Sequence, residues 1–363
     1  MDVVVRDRLT GAPVTVLPPS PVSGYLTVST TERLWRPDRI EVEMDARVAA
    51  DGGVTKGRLL VVDGLVFLVE QVHISSDEQS RVSALATVTG YDPSTVPRLL
   101  LPASGQSHDV QTGPGESAMK HYLSANIGPD AASVRRWSLL AVAPDQERGG
   151  SGSWRARYQP LVDMLELIGQ ETGLGYRTVW DTTPGEDEPY GRAVFEVVPG
   201  QHRDRLLSIA EGTVRGEELL STDVDRRTYA YVAGQGEGAA RTIVERHTGV
   251  QEPAELSRRE EFVDARDIDA TEALRSRGDA KLAETEHPDS VEVQVDEADG
   301  WAYRVDVDLG DTLRYRNAWG DDRLVRLVEV VTSWRESLMS PDRSFTLDRP
   351  FPDVSDRERV SGG

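Results

Sequence analysis

The sequence contains no cysteine among its 363 residues. This absence excludes disulfide bonds, thiolate metal sites and cysteine nucleophiles, although a cysteine-free chain suits the cytosol and the exterior of a cell equally well. Aromatic residues make up only 6% of the chain. Because a sugar-cleaving site needs two carboxylates across a cleft that usually carries stacking aromatic side chains, a glycosidase is not indicated.

Long hydrophobic runs are also missing. No stretch approaches the roughly 20 apolar residues of a membrane span, and the apolar run near the start, Val3–Val5, is far shorter than the core of a signal peptide. We therefore expect a soluble product made in the cytoplasm, with no membrane insertion by this chain.

Positive charge is scarce relative to negative charge. The chain has 41 basic and 62 acidic residues, which gives a formal net charge of −21. Such a surface repels the phosphates of nucleic acids and anionic membranes, so specific nucleic-acid binding is not expected. Two interpretations stay open: an ordinary soluble protein, or the acidic wall of a channel through which DNA slides without sticking.

The first hundred residues are typical of β-strands. Leu59–Val62 and Leu65–Val69 flank Asp63-Gly64, which predicts a hairpin with a type I′ turn. These two runs are continuously apolar, so we expect both of their faces to be covered, as in a closed barrel or in a sheet inside an assembly. Ile40–Met44 instead alternates apolar and acidic residues, which indicates a strand with one wet face.

The character changes between about 100 and 200, where two helices are predicted. Ala118, Met119, Tyr122 and Leu123 fall on one helical face. The stronger pattern follows Pro160, a first-turn proline, and ends at Gly173 and Gly175; its apolar face consists of Leu161, Met164, Leu165 and Ile168. Arg148–Ser153 is glycine-rich and serine-rich and predicts a flexible loop.

Strands return after residue 200, with one more helix. Asp269 and Glu272 form a capping-box pattern, which predicts a polar helix to about Glu286. Further strands are indicated by alternating or continuous apolar residues in four segments: Val291–Val295, Tyr303–Val307, Leu313–Tyr315 and Leu324–Val331.

The predicted fold is α+β and mainly β, with two β-barrel-like tube domains and inserted α+β domains. We place a β-barrel-like domain at 1–105, an inserted α+β domain at 106–200, a linking β/α segment at 201–290, a second β-barrel-like domain at 291–349 and a disordered tail at 350–363.

Catalytic and cofactor motifs are weak. Gly234–Ala239 superficially fits a dinucleotide fingerprint, but the following Arg241–Arg246 favours a strand where that motif needs a helix. His108-Asp109 has no accompanying nucleophile elbow. The six histidines show no zinc-binding spacing; they are His73, His108, His121, His202, His247 and His287. No catalytic, metal or cofactor residue is therefore predicted.

Four aromatic residues gather in the last strands: Trp301, Tyr303, Trp319 and Trp334. We interpret them as core or as a subunit interface.

Several segments together resemble a known family. Tyr231–Arg241 resembles a glycine-rich strand-turn-strand of tail-hub proteins from siphoviruses that infect actinobacteria. Arg259–Arg266, the helix containing Arg277–Leu282, and Tyr303–Asp311 are similar to the family's next landmarks. The resemblance is continuous over about 225–335, and it rests on the order and spacing of these segments.

The resemblance implies a baseplate-hub fold that assembles as a trimer at the tip of a virion's tail tube. It implies other tail proteins as partners, namely the distal tail ring, the tape measure and tip or fibre proteins. It also implies that the glycine turns are structural and that catalysis is absent; the turn residues are Gly234, Gly236, Gly238, Arg241, Gly310 and Asp311. A tail-associated peptidoglycan hydrolase and a carbohydrate-binding attachment module are the alternatives.

Overall fold

A computed structural model describes residues 1–76, 84–102, 105–186, 188–221, 224–249, 251–266, 268, 270–285, 289–295, 302–335 and 341–348. These residues form 21 strands and four α-helices, so the mainly β fold expected from the sequence is confirmed. The predicted tail at 350–363 lies outside the described residues, as do Asp269, Glu286, His287 and Trp301.

Two compact units make up the chain. Unit 1 comprises residues 1–216 and 293–363, and unit 2 comprises residues 217–292. The division into tube and inserted domains at 105, 200 and 290 stays a prediction.

The first part of unit 1 contains seven strands and a short helix: β1 Val3–Arg6, β2 Pro13–Leu17, β3 Tyr25–Arg33, β4 Arg39–Asp45, α1 Ala46–Asp51, β5 Leu59–Val62, β6 Leu65–Ser75 and β7 Leu85–Tyr91. The Asp63-Gly64 hairpin is confirmed, because both residues have the positive φ of a type I′ turn and Val62 pairs with Leu65. The alternation in β4 is confirmed too, with the side chains of Ile40, Val42 and Met44 buried.

The β5–β6 hairpin is covered on both faces, as its continuous apolar sequence predicts. Leu59 and Val61 point into one hydrophobic core, which they share with the middle of the chain. Leu60 and Val62 point into a second core between the N-terminal strands. The chain itself therefore covers this hairpin, and no second copy is needed to bury these side chains.

The middle of unit 1 supplies the first of these cores. Its elements are β8 Asp109–Pro114, α2 Gly115–Asn126, β9 Leu140–Val142, β10 Ser151–Ala156, α3 Leu161–Thr172, β11 Gly175–Asp181, β12 Arg192–Val198 and β13 His202–Ser208. Both helix predictions are confirmed, since the predicted apolar faces of α2 and α3 are buried and Gly173 ends α3 with φ +72°. The predicted loop at Arg148–Ser153 is wrong in its second half, because Ser151 begins β10 by pairing with Pro114.

The remaining elements are β14 Val214–Ser221, β15 Tyr229–Ala233, β16 Ile243–His247, β17 Glu260–Asp264, α4 Thr271–Glu284, β18 Asp289–Val295, β19 Thr312–Arg316, β20 Asp322–Arg335 and β21 Asp342–Asp348. The predicted strand at Tyr303–Val307 is wrong. The backbone there makes a tight turn, in which Arg304 has φ +67° and its N–H donates to the carbonyl of Val307.

The large sheet of unit 1 contains the strand order β21-β20-β3-β4-β7-β6-β11-β12-β9. Strands β19 and then β13 extend from β20, while β5, β1 and β2 extend from β6. Among the described residues this sheet does not close into a barrel, because β2 forms its ladder with β1 alone. Two β-barrel-like tube domains therefore stay a prediction.

Unit 2 contains a separate three-stranded sheet with the order β16-β15-β17. Helix α4 covers one face of this sheet, and the apolar side chains between them include Val232, Val263, Leu274 and Leu282. The opposite face carries Tyr229, Tyr231 and Phe262, whose positions follow from the alternation of side chains along a strand.

Candidate functional site

The glycine-rich turn predicted to be structural connects β15 to β16 in unit 2. The N–H of Gly234 donates to the carbonyl of Thr242 at 2.8 Å, and the N–H of Thr242 donates to the carbonyl of Gln235 at 3.1 Å. A single 3-10 turn, Gly238–Ala240, lies between the strands. Since β16 follows this turn where a dinucleotide fingerprint requires a helix, the segment has no phosphate-binding helix N-terminus.

Two of these glycines have environments that exclude a side chain. Gly236 has φ +108°, and a Cβ atom there would lie 2.6 Å from the carbonyl oxygen of Ala240. A Cβ at Gly234 would lie 2.8 Å from Cδ1 of Leu274 in α4 and 2.9 Å from the carbonyl oxygen of Ile268. The turn can close against the helix only because these positions lack side chains.

Arg241 holds the two ends of this turn together. Its Nε donates to the carbonyl of Gly234 at 2.9 Å and its Nη2 to the carbonyl of Ala233 at 2.8 Å. The guanidinium also pairs with Asp264 at the end of β17, and it lies over the ring of Phe262. One arginine thus connects two strands of the sheet through carbonyls, a carboxylate and an aromatic face.

The second predicted turn, Gly310-Asp311, lies in unit 1. The buried Asp311 carboxylate accepts hydrogen bonds from the N–H of Gln201 at 2.6 Å, from Nε of Arg203 at 2.7 Å and from the N–H of Asp308 at 2.9 Å. Gly310 has φ +87° and lies close to Gly200. A Cβ atom on Gly200 would lie 2.2 Å from the carbonyl oxygen of Gly310. These contacts fix the parallel pairing of β13 with β19.

Four buried carboxylates among the described residues of unit 1 were not identified from the sequence, namely Glu32, Asp38, Asp92 and Glu116. Glu32 accepts from Nη2 of Arg304 at 2.8 Å and from the Tyr303 hydroxyl at 3.1 Å. Asp38 accepts from the N–H of Arg33 at 2.8 Å. Burial and the negative charges of Glu32 and Asp92 raise the pKa of Asp38 well above its usual value. The acidic residues are too numerous in the sequence for such a buried group to stand out.

Asp92 is the third of these carboxylates. Its Oδ1 accepts from the N–H and hydroxyl of Ser94 at 2.8 and 2.7 Å, and from the Thr178 hydroxyl at 2.7 Å. Burial raises the pKa of Asp92. Its hydrogen bonds join the end of β7 to β11, which is a structural role.

No catalytic arrangement is evident in the described part of the chain. Asp109, which follows His108 in the sequence, accepts from Nε2 of His121 at 2.9 Å, while Nδ1 of His108 lies 3.1 Å from the Ser107 hydroxyl. These two histidine pairs do not share a residue, so they do not form a triad. Across the same residues no three His, Asp or Glu side chains gather as metal ligands, and no helix is long and apolar enough to cross a membrane.

The aromatic residues of the last strands do not share one environment. Tyr303 and Trp334 are buried, with Tyr303 packed against Phe345. Trp319 is 73% exposed at the tip of the β19–β20 hairpin. Its turn is held by Asn317, whose Oδ1 accepts from the N–H groups of Trp319 and Asp321 at 3.1 and 2.8 Å.

Comparison with known proteins identifies the relatives of this chain. The family model described as Siphovirus ReqiPepy6 Gp37-like protein matches residues 22–342. No curated protein matches the sequence.

Three solved structures have a similar fold over nearly their whole lengths. A tail protein from Neisseria meningitidis MC58 is 13% identical with a TM-score of 0.54, and 96% of each chain is covered. The 43 kDa tail protein of prophage MuSo2 from Shewanella oneidensis is 12% identical with a TM-score of 0.57, covering 96% of this chain and 99% of that one. Prophage tail protein gp18 from Listeria monocytogenes EGD-e is 10% identical with a TM-score of 0.51, covering 99% and 98%.

Proposed function

The chain belongs to the Siphovirus ReqiPepy6 Gp37-like family, and from this premise we propose that it is a structural hub at the distal end of a phage tail tube. In this role a trimeric ring joins the tube to the tip or spike and lets DNA pass. Its partners are other copies of itself, the distal tail ring, the tape measure and tip or fibre proteins. An actinobacterial host and a location at the tail tip of the virion are parts of the same proposal.

The observation that carries this proposal is the extent of the similarity. The family model spans residues 22–342, and the prophage tail protein from Shewanella oneidensis has the same fold over 96% of this chain. A likeness at this level of identity concerns the fold, so the position in the tail and the ring are inferred. An embedded hydrolase domain would instead leave part of the chain outside the shared fold.

The residues are compatible with a role that is not enzymatic. The predicted turn residues make backbone and packing contacts, with Arg241 and Asp311 each fixing a strand pairing. The net charge of −21 suits a channel wall, because acidic side chains repel the phosphates of passing DNA. We propose these residues as structural and the chain as non-catalytic.

Sedimentation of the purified chain tests the ring, and we expect the mass of a trimer at micromolar concentration. A peptidoglycan gel assay tests the hydrolase alternative, and we expect no clearing. A monomer that clears the gel would overturn the proposal in favour of a tail-associated hydrolase. Saturable binding of a monomer to cell-wall polysaccharide would instead favour the attachment module.

A further inference from the structure

A positively charged, partly apolar surface lies on unit 1 of this acidic chain. Two segments, 98–101 and 157–161, are joined by three backbone hydrogen bonds of 2.7–2.9 Å, and Arg135 lies beside them. We call this surface the arginine patch and define it by Arg98, Leu99, Leu101, Arg135, Arg157 and Tyr158.

The apolar members of the arginine patch point away from the core. Leu100 is fully buried in the core beneath α2 and α3, so the alternation of an extended segment places Leu99 and Leu101 on the outer side. Leu99 is 51% exposed, Leu101 44% and Tyr158 56%. Tyr158 has φ +61°, a left-handed conformation that a bulky residue adopts only when its surroundings impose it.

The arginines of the patch have no carboxylate partner in the described part of the chain. Arg135 donates from Nη2 to the carbonyl of Leu99 at 2.7 Å. Arg157 lies over the ring of Tyr158, 5.4 Å from its centroid, and Arg98 donates to the carbonyl of Pro97. Burial and the positive charge of Arg98 lower the pKa of Arg135. Like charges are thus held together here, whereas many other arginines of the described residues pair with acids.

We propose that the arginine patch docks against the acidic surface of a second copy of this chain. Charge complementarity supports this occupant, because the chain carries a net charge of −21 and the patch is locally positive. Tyrosine and arginine are enriched in the cores of protein interfaces, and the exposed leucines beside them are not needed to bind an anionic polymer.

In the proposed trimeric ring the contact is heterologous. A positive surface repels its own copy across a two-fold axis, so the arginine patch of one subunit must meet a different surface of the next. Contacts of this kind close into rings when the rotation allows it. The inference therefore rests on the proposed ring and names one side of its subunit interface.

Sedimentation velocity of the full chain with single substitutions tests this interface. We expect Arg157→Glu to weaken self-association by about tenfold or more, Leu101→Asp to weaken it as well, and Arg157→Lys to retain it. Arg47→Glu is the matched control, because Arg47 is exposed on α1 outside the patch and the change in net charge is identical. High salt should weaken the wild type more than Arg157→Glu.

The outcomes separate the interface from the ring. A wild-type trimer that Arg157→Glu and Leu101→Asp leave intact would overturn the patch and keep the ring. A wild type that remains monomeric at every concentration would overturn both. A monomer that binds a double-stranded DNA fragment through Arg157 would make an anionic polymer the occupant and would also overturn the inference.

Discussion

Glu116 is the most completely buried charge of α2. It pairs with Lys120 one turn later and with Arg148, whose Nε and Nη2 donate to it at 2.7 and 2.9 Å. Burial alone would raise the pKa of Glu116, but the hydrogen bonds from Arg148 and Lys120 outweigh burial and lower it to about 2. The charged carboxylate therefore stabilises the fold.

Replacing Glu116 should lower the free energy of unfolding at neutral pH. It should also make that free energy depend less on pH. Because the pKa of Glu116 is lower in the folded chain, its contribution is complete above the ordinary glutamate pKa of about 4.3 and is lost as the pH falls toward 2. We expect Glu116→Gln to cost on the order of 3 kcal/mol at neutral pH and less at acid pH. Urea unfolding followed by circular dichroism across this pH range measures both, and an equal cost at every pH would contradict this account.

Asp38 should show the opposite dependence. Its pKa is raised in the folded chain, so its contribution to stability becomes less favourable as the pH rises above the ordinary aspartate pKa of about 3.9. Asp38→Asn keeps an oxygen that accepts from the N–H of Arg33. We expect this variant to gain stability relative to the wild type as the pH rises, measured by urea unfolding, whereas a difference that does not vary with pH would argue against a buried charge at Asp38.

At the scale of elements, alanine substitutions at two neighbouring glycines of the β15–β16 turn should lower stability by different amounts. We expect Gly236→Ala to destabilise unit 2 by more than about 2 kcal/mol, because its Cβ would collide with the backbone at Ala240. Gly238→Ala should cost about 1 kcal/mol, since its φ of +52° is left-handed but no atom lies within 4 Å of the added Cβ. Amide hydrogen exchange in β15 and β16 measures both losses of stability. Equal losses would contradict the predicted collision between a Cβ at Gly236 and the backbone at Ala240.

Arg304 in the Tyr303–Val307 turn forms a long-range ion pair with Glu32. Arg304 neutralises the buried Glu32, which β3 carries, so Arg304→Ala should cost about 3–5 kcal/mol by leaving that charge unpaired. Arg205→Ala is the control, because its pair with Asp306 is half-exposed and should contribute at most about 1 kcal/mol. Chemical denaturation of both variants compares them, and similar losses would contradict the role given to Arg304.

Some helices and strands could be predicted from the sequence, and others could not. Helix α3 was predictable because its apolar spacing and Gly173 are local features, and the β5–β6 hairpin because Asp63-Gly64 specifies its turn. The alternation at Tyr303–Val307 misleads, because the segment closes on itself through hydrogen bonds from the N–H of Arg304 to the carbonyl of Val307 and from the N–H of Ala302 to the Asp306 carboxylate. The arginine patch is equally hidden in the sequence, since three segments that are distant in the sequence form it.

At the scale of the whole molecule, the strands that are apolar on both faces are not a reason to expect an assembly. Unit 1 buries both faces of β5 between two cores of its own, so these strands do not require a ring of copies. We infer an assembly from the family and from the arginine patch, whose arginines have no carboxylate partner among the described residues. The glycine turns lie inside single units and support strand pairing there.

Electron microscopy of tails labelled with gold-conjugated antibody to this chain tests the central claim most directly. We expect the label at the distal end of the tail, away from the head. Label along the tube, label at the end next to the head, or particles without label would contradict a hub at the tail tip.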